Sequence, residues 1–206
     1  MYVEGRDFMQ EARSKIIENK EEKKRKLVDA AFELFTDKGF KSTSIQEIVD
    51  KADVAKGTFY LYFKDKYDLQ EYLITKKSEE LFLASIKYVD DKKITDFVER
   101  FINMIDFIID AFVKDKTLLN FISKNLSLGV FGDRLSNIDQ SLKLKEVFEK
   151  GVRENNLSVK NPELTLFMIV ELTSSVAFTS ILSNKPLPID EIKPFLFDKI
   201  RKILLD

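Results

Sequence analysis

The stretch from Gly39 to Lys66, GFKSTSIQEIVDKADVAKGTFYLYFKDK, sets two apolar stripes on either side of a turn. Ile45, Ile48, Val49 and Ala52 make the first stripe, and Phe59 and Phe63 the second; each spans little more than two turns, too short to be a stable helix alone. A chain containing such a pair must pack it against a third element. One lies just upstream, where Leu27, Ala30, Ala31, Leu34 and Phe35 repeat along one helical face from Lys20 onward, and Gly39 stands where a glycine ends a helix. Asp53 and Val54 make the turn, because Asp tolerates left-handed backbone and Val can plug the angle between helices. Thr43 and Gln46 have capping-box spacing. The three segments together have the outline of a helix-turn-helix.

Lys56, Thr58, Tyr60 and Tyr62 are left off the apolar face, where a helix would meet a duplex, although each tyrosine also reads as a half-buried ring with its hydroxyl in water. Asp65 caps the next helix and Lys66 sits in its first turn, a cation where the helix dipole favours an anion but where an external phosphate could be reached. Overall charge carries no such signal. Eleven Lys/Arg stand against nine Asp/Glu between Lys20 and Lys66, and the whole chain has a formal charge of −1. The run KEEKKRK at residues 20–26 could reach phosphate or a minor groove, although a charge run at a helix start reads more often as solvated.

With no Cys and no His, the chain has no disulfide, thiolate zinc site, cysteine nucleophile or histidine base, so an enzyme, a metal and a cofactor are all unexpected. The first twenty residues lack the apolar core of a signal peptide, and no uncharged apolar run nears the roughly eighteen residues that span a bilayer. A cytoplasmic protein with no membrane partner is expected.

Beyond Lys66 a helix is expected to about Tyr88, then a strongly amphipathic one from Ile94 to Val113 whose outer stripe, Glu99, Asn103, Asp106 and Asp110, reads as solvated. A short helix follows over 114–126, then a two-glycine loop, SLGVFGDRLSN, that could border a ligand entrance, and a helix over 141–154. Asn161-Pro162 opens a helix to about Ser183 that is apolar nearly all round. Pro186 and Pro188 separate it from a last amphipathic helix. One subunit cannot easily hide both faces of the Pro162 helix, which points to a homodimer through the last two helices. The expected fold is all-α, with about nine helices: an N-terminal extension over 1–19, a three-helix helix-turn-helix head over 20–66, and a larger helical body over 67–206.

The string TSIQEIVDKADVAKGTFYLYFKDK resembles the head of the TetR family of bacterial transcriptional repressors, and the likeness runs from about Lys20 to Lys77. It implies a repressor that binds a palindromic double-stranded DNA operator as a dimer and is released by a small-molecule effector. Matched position by position, Lys56, Thr58, Tyr60, Tyr62 and Lys66 fall on DNA-facing positions, with Gly57 allowing close backbone approach. Thr58, Tyr62 and Lys66 look like phosphate clamps, Thr43 or Ser44 resembles a further phosphate contact, and Gln46, Lys56 and Tyr60 resemble base readers, Tyr60 by packing on a thymine methyl or a sugar. Asp53 in place of a turn glycine and Ala55 in place of a frequent Ser depart from the family pattern. The family's bodies bind small molecules, which makes Phe101, Met104, Ile105, Phe121, Phe148, Phe167 and Phe178 candidate pocket residues as well as plain core residues. Glu171 could be an exposed side chain, a dimer-interface hydrogen bonder, or the counter-charge of a cationic effector. An alternative reading is an all-helical ligand- or partner-binding protein whose head has lost DNA recognition.

Overall fold

The computed structural model describes residues 4–131 and 144–205. Among these, every regular element is helical: α1 (Glu4–Asp37), α2 (Ile45–Lys51), α3 (Lys56–Tyr62), α4 (Lys66–Asp91), α5 (Phe97–Lys114), α6 (Lys116–Ile122), a 3-10 turn (Ser123–Asn125), α7 (Leu126–Phe131), α8 (Leu144–Glu154), α9 (Pro162–Ser183) and α10 (Ile189–Leu205). The all-α expectation holds. The expected count of about nine helices holds as well: ten α-helices occur among the described residues, residues 127–131, expected in a loop, continuing as the short α7. The rest of that loop, and the start expected for the helix at 141, lie outside the described residues. Residues 4–19 are no separate extension, since α1 runs unbroken through Gly5 into the head.

The chain forms two compact units, Met1–Leu73 and Ile74–Asp206. In the first, α1, α2 and α3 pack together around Leu27, Ala31, Phe35, Ile48, Val49, Phe59 and Phe63, all buried. Leu69 and Leu73, from the start of α4, are also fully buried, which carries this unit's boundary past the expected residue 66. Aromatic edges tie the shell together: Phe35 to Phe40 at 5.1 Å, Phe40 to Tyr67 at 5.0 Å and Phe63 to Tyr72 at 5.5 Å between ring centroids.

The turn after α2 is a Schellman stop. The Val54 amide donates to the Val49 carbonyl and the Asp53 amide to the Asp50 carbonyl, with Asp53 left-handed at φ 53. A glycine would hold this position without a Cβ penalty, and Asp is among the few side chains that accept it. The same pair of bonds ends α4 at Lys93 and α8 at Asn156.

In the second unit α5 buries eight apolar side chains, from Val98 to Phe112, and packs on α6, α9 and α10. Its outer stripe stays partly exposed, but its carboxylates are bridged to α10. Arg201 of α10 donates two hydrogen bonds to the Glu99 carboxylate at 2.7 and 3.1 Å, and Lys193 pairs with Asp106 at 2.7 Å and with Asp110. Partial burial works against the Lys193 charge, yet the two carboxylates prevail and raise its pKa above the ordinary lysine value. α9 opens as expected, the Asn161 side chain accepting the Leu164 amide at 3.0 Å with Pro162 at the first position. By length and composition α9 alone among the described helices could cross a membrane. Leu166, Ile169, Val170, Ala177 and Ile181 on one side are instead buried in this unit's core, while Leu164, Phe167, Met168, Leu172 and Leu182 are exposed.

Candidate nucleic-acid interface

α3 is positioned by Phe59, fully buried beneath it, and by the turn at Asp53. Its opposite side is open. Lys56 is exposed at its first position, Tyr60 is 54% exposed, and a side chain built on Gly57 would meet nothing within 4 Å. The glycine is therefore not required by packing inside the head; it leaves the start of α3 bare to whatever docks there. Thr58 is half-buried on the same helix. The helix begins at Ala55 with no side-chain cap, the consequence expected where a hydroxyl residue is replaced. Gln46 is exposed on α2 and donates one amide hydrogen to Asp50 at 2.8 Å, leaving its second amide hydrogen and its carbonyl oxygen available for base-edge contacts.

Four other sequence-proposed DNA contacts carry internal partners. Thr43 is buried at 2% exposure, and its hydroxyl lies 2.9 Å from the Gly39 carbonyl, to which it donates, so it cannot reach a duplex as placed. The capping box begins one residue later than expected: the Glu47 amide donates to the Ser44 hydroxyl at 3.2 Å, and the Glu47 carboxylate accepts from the Ser44 amide at 2.8 Å. The Ser44 hydroxyl also donates to that carboxylate. The Lys38 ammonium bonded to Glu47, followed by the Ser44 amide and hydroxyl, lowers this carboxyl to about 2. The Tyr62 hydroxyl donates to the Lys20 carbonyl at 2.9 Å. Lys66 turns its ammonium inward to the Phe40 and Thr43 carbonyls at 2.7 and 2.6 Å, 4.4 Å from the Phe40 ring centre. That arrangement accounts for a cation in the first turn of α4 without any external phosphate.

The fold also brings two lysines of the KEEKKRK run to this face, together with Asn19 and Leu61, which the sequence reading did not name. Asn19, Lys20 and Lys23 of α1, with Thr58, Leu61 and Tyr62 of α3, line a cleft of about 460 Å³. The signal was present in KEEKKRK, but charge runs seldom say which of their members face a neighbour.

In the second unit a cleft of about 410 Å³ lies among Ile86 of α4, the start of α5 and α8. Phe97, Phe101 and Phe148 form its aromatic wall, with centroid separations of 5.1 to 6.5 Å, and Met104 adds a thioether. Arg100, Lys150 and Glu154 supply charge, although Arg100 is tied to the Asp90 carboxylate at 2.6 Å and to the Ile94 carbonyl at 2.9 Å. Gly151 is required here, because a Cβ would lie 1.9 Å from the Phe97 ring. Of the candidate pocket residues, Phe101, Met104 and Phe148 meet at this cleft. Ile105 is buried in the core, Phe121 and Phe178 pack half-buried against that core, and Phe167 and Glu171 lie exposed on α9. No group of three or more carboxylates able to hold a metal occurs among the described residues.

Residues 27–73, from Leu27 of α1 through α2, α3 and the start of α4, match the family "Bacterial regulatory proteins, tetR family". Over residues 27–73 the chain carries the helix-turn-helix segment of that family. It is 22% identical to the uncharacterized HTH-type transcriptional regulator YhgD of Bacillus subtilis over 85% of this chain and 93% of that protein. Other curated relatives align over shorter stretches, spanning 21% and 16% of their own length. Among solved structures, RolR in complex with resorcinol matches with a TM-score of 0.66 at 16% identity, covering 91% of this chain and 90% of RolR. FadR of Bacillus subtilis in complex with stearoyl-CoA matches with a TM-score of 0.57 at 19% identity, over 87% of this chain and 98% of FadR. At these identities the likeness establishes a shared fold.

Proposed function

We propose that this chain is a TetR-family regulator, a cytoplasmic repressor that binds a palindromic operator as a homodimer and leaves it when a small, largely apolar effector occupies the body. The observation that carries the reading is the outward face of α2 and α3, where Gln46, Lys56, Thr58 and Tyr60 stand around a bare Gly57 over a fully packed head. Lys56 and Gln46 are the base readers, and Tyr60 packs against a thymine methyl or a sugar.

The dimer is supported by the exposed stripe of α9, where Leu164, Phe167, Met168, Leu172 and Leu182 share a face with the smaller Ser175 and Thr179, and by exposed Phe195 and Ile203 on α10. Apolar area of this kind is what a partner subunit buries. Glu171 lies on the same stripe and belongs to that interface rather than to an effector site. The effector site is the cleft walled by Phe97, Phe101, Met104 and Phe148, whose volume falls within the range of small-molecule pockets. A resorcinol-bound and a stearoyl-CoA-bound structure sharing this fold agree with a ring or an acyl chain as the apolar part. Release requires that the effector bind the DNA-incompatible state more tightly than the DNA-bound state.

Selection of bound duplexes from a random pool tests the reading directly. A single palindromic sequence should emerge, and Lys56→Ala with Tyr60→Ala should abolish its binding while the helical fold is retained. Equal affinity for random duplex at every salt concentration would overturn it, in favour of a head that no longer recognises DNA.

A further inference from the structure

We propose that α1, through Lys20 and Lys23, grips the operator backbone beside the recognition helix, at positions that precede the family match beginning at residue 27. The inference rests on the DNA-binding reading above. Its starting point is helical register: Lys20 and Lys23 lie seven and four residues before Leu27, the first buried residue of α1 among those whose side chains are described. They therefore continue the face that α1 presents to the rest of the head. On that face they meet Thr58, Leu61 and Tyr62 across the cleft.

Donor counting then decides what the cleft can hold. A phosphate oxygen only accepts hydrogen bonds, and the one hydroxyl hydrogen of Tyr62 is already donated to the Lys20 carbonyl. Ser44 is committed to its cap and Thr43 is buried. Three of the four hydroxyls that resemble phosphate contacts, those of Thr43, Ser44 and Tyr62, are thus engaged elsewhere, and the donors left along this flank of α3 are the Lys20 and Lys23 ammoniums, the Asn19 amide and the Thr58 hydroxyl. Neither lysine has a carboxylate partner among the described residues. Their neighbours do have partners: Lys26 pairs with Glu22 at 3.2 Å, and Lys24 lies 4.3 Å from the Tyr72 ring centre.

The cleft carries two cations and no carboxylate, and it opens beside Leu61, which is 79% exposed on the same helix as Lys56 and Tyr60. A duplex seated on α3 presents its phosphodiester strand along this flank. The bond from Tyr62 fixes α1 against the end of α3, so both lysines are held at a set distance from the groove that α3 reads.

The experiment compares the full-length protein with a Lys20→Gln, Lys23→Gln variant on the duplex that the wild type selects, across a salt series. Both positions are exposed on a helix, and circular dichroism with thermal melting checks that the fold is kept. For every phosphate that the variant no longer neutralises, the slope of log affinity against log salt should fall by about 0.9, and binding should weaken about fivefold near 0.15 M salt. The preferred sequence should not change, and Lys20→Arg with Lys23→Arg should retain wild-type slope and affinity. Lys160→Gln, at an exposed position in the body, serves as the control for bulk charge. Wild-type affinity and slope in the double variant would overturn the proposal, as would a weakening no larger than that of Lys160→Gln, or a changed sequence preference. A wild type with no duplex preference would instead overturn the DNA-binding reading itself.

Discussion

α3 and α4 both begin with a lysine after a tight turn, and the two starts are finished in opposite ways. At α4, Asp65 accepts the Asp68 amide at 2.8 Å, Asp68 accepts the Lys64 amide at 2.7 Å, and Lys66 is turned onto two carbonyls of the segment before α2. At α3, Ala55 provides no cap, Lys56 is exposed and a Cβ placed on Gly57 would meet nothing within 4 Å. Ten residues apart, similar sequence chemistry makes one helix start that is satisfied within the head and one left to be satisfied from outside. The difference separates a lysine committed to the fold from one left exposed.

That contrast can be broken from either side. Lys66→Ala removes two charge-assisted hydrogen bonds from a half-buried site and should lower the head's stability by about 2–3 kcal/mol in chemical denaturation. If it left stability unchanged while abolishing operator binding, Lys66 would belong with Lys56. Lys56→Ala should leave unfolding within about 0.5 kcal/mol of wild type. In a filter or anisotropy assay it should weaken operator binding by at least about fivefold near 0.15 M salt, the share of one ionic contact.

Smaller changes sharpen the comparison. Ala55→Ser gives α3 the cap it lacks and should raise stability by about 0.5–1 kcal/mol, seen as a higher melting temperature. The mildest effect is the acid limb of stability governed by Glu47. Its carboxyl is lowered from 4.5 to about 2 in the folded state, so its contribution is complete above the ordinary value and fades as pH falls from 4.5 toward 2. In Glu47→Gln this part of the pH profile should flatten; an unchanged profile would show that the capping carboxylate adds nothing measurable.

The head was legible because its signals are local. Phe59 and Phe63 at helical spacing, Asp53 at a left-handed turn and the Asn161-Pro162 helix start depend on residues within a few positions of one another. What the sequence did not disclose depends on contacts distant in the chain. Lys66 reads as a phosphate ligand until the carbonyls of Phe40 and Thr43 are brought to it. Tyr62 reads as a free phenol until residue 20 arrives. The stripe of Glu99, Asp106 and Asp110 reads as solvated until Arg201 and Lys193 pack across it. Capping slipped by one residue because Thr43-Ser44 offers two hydroxyls in succession, and burial of the first selects the second. Pocket residues were hardest to name, since an aromatic ring at a cleft and one in a core have the same periodicity; Phe148 and Phe167 differ only in what other helices place beside them.

Glu171 has a consequence for biosynthesis. α9 is a 22-residue helix with a mean hydropathy of 1.7 across its most apolar window, and during translation it is made before α10, one of the elements that pack on it. A nascent segment of that kind resembles cargo for the membrane-insertion machinery. An acidic side chain near the middle of an inserting helix opposes partition into the bilayer by on the order of 3 kcal/mol. Glu171 stands at that depth and is exposed, so the same side chain that interrupts the apolar stripe of α9 also raises the cost of inserting this helix into lipid.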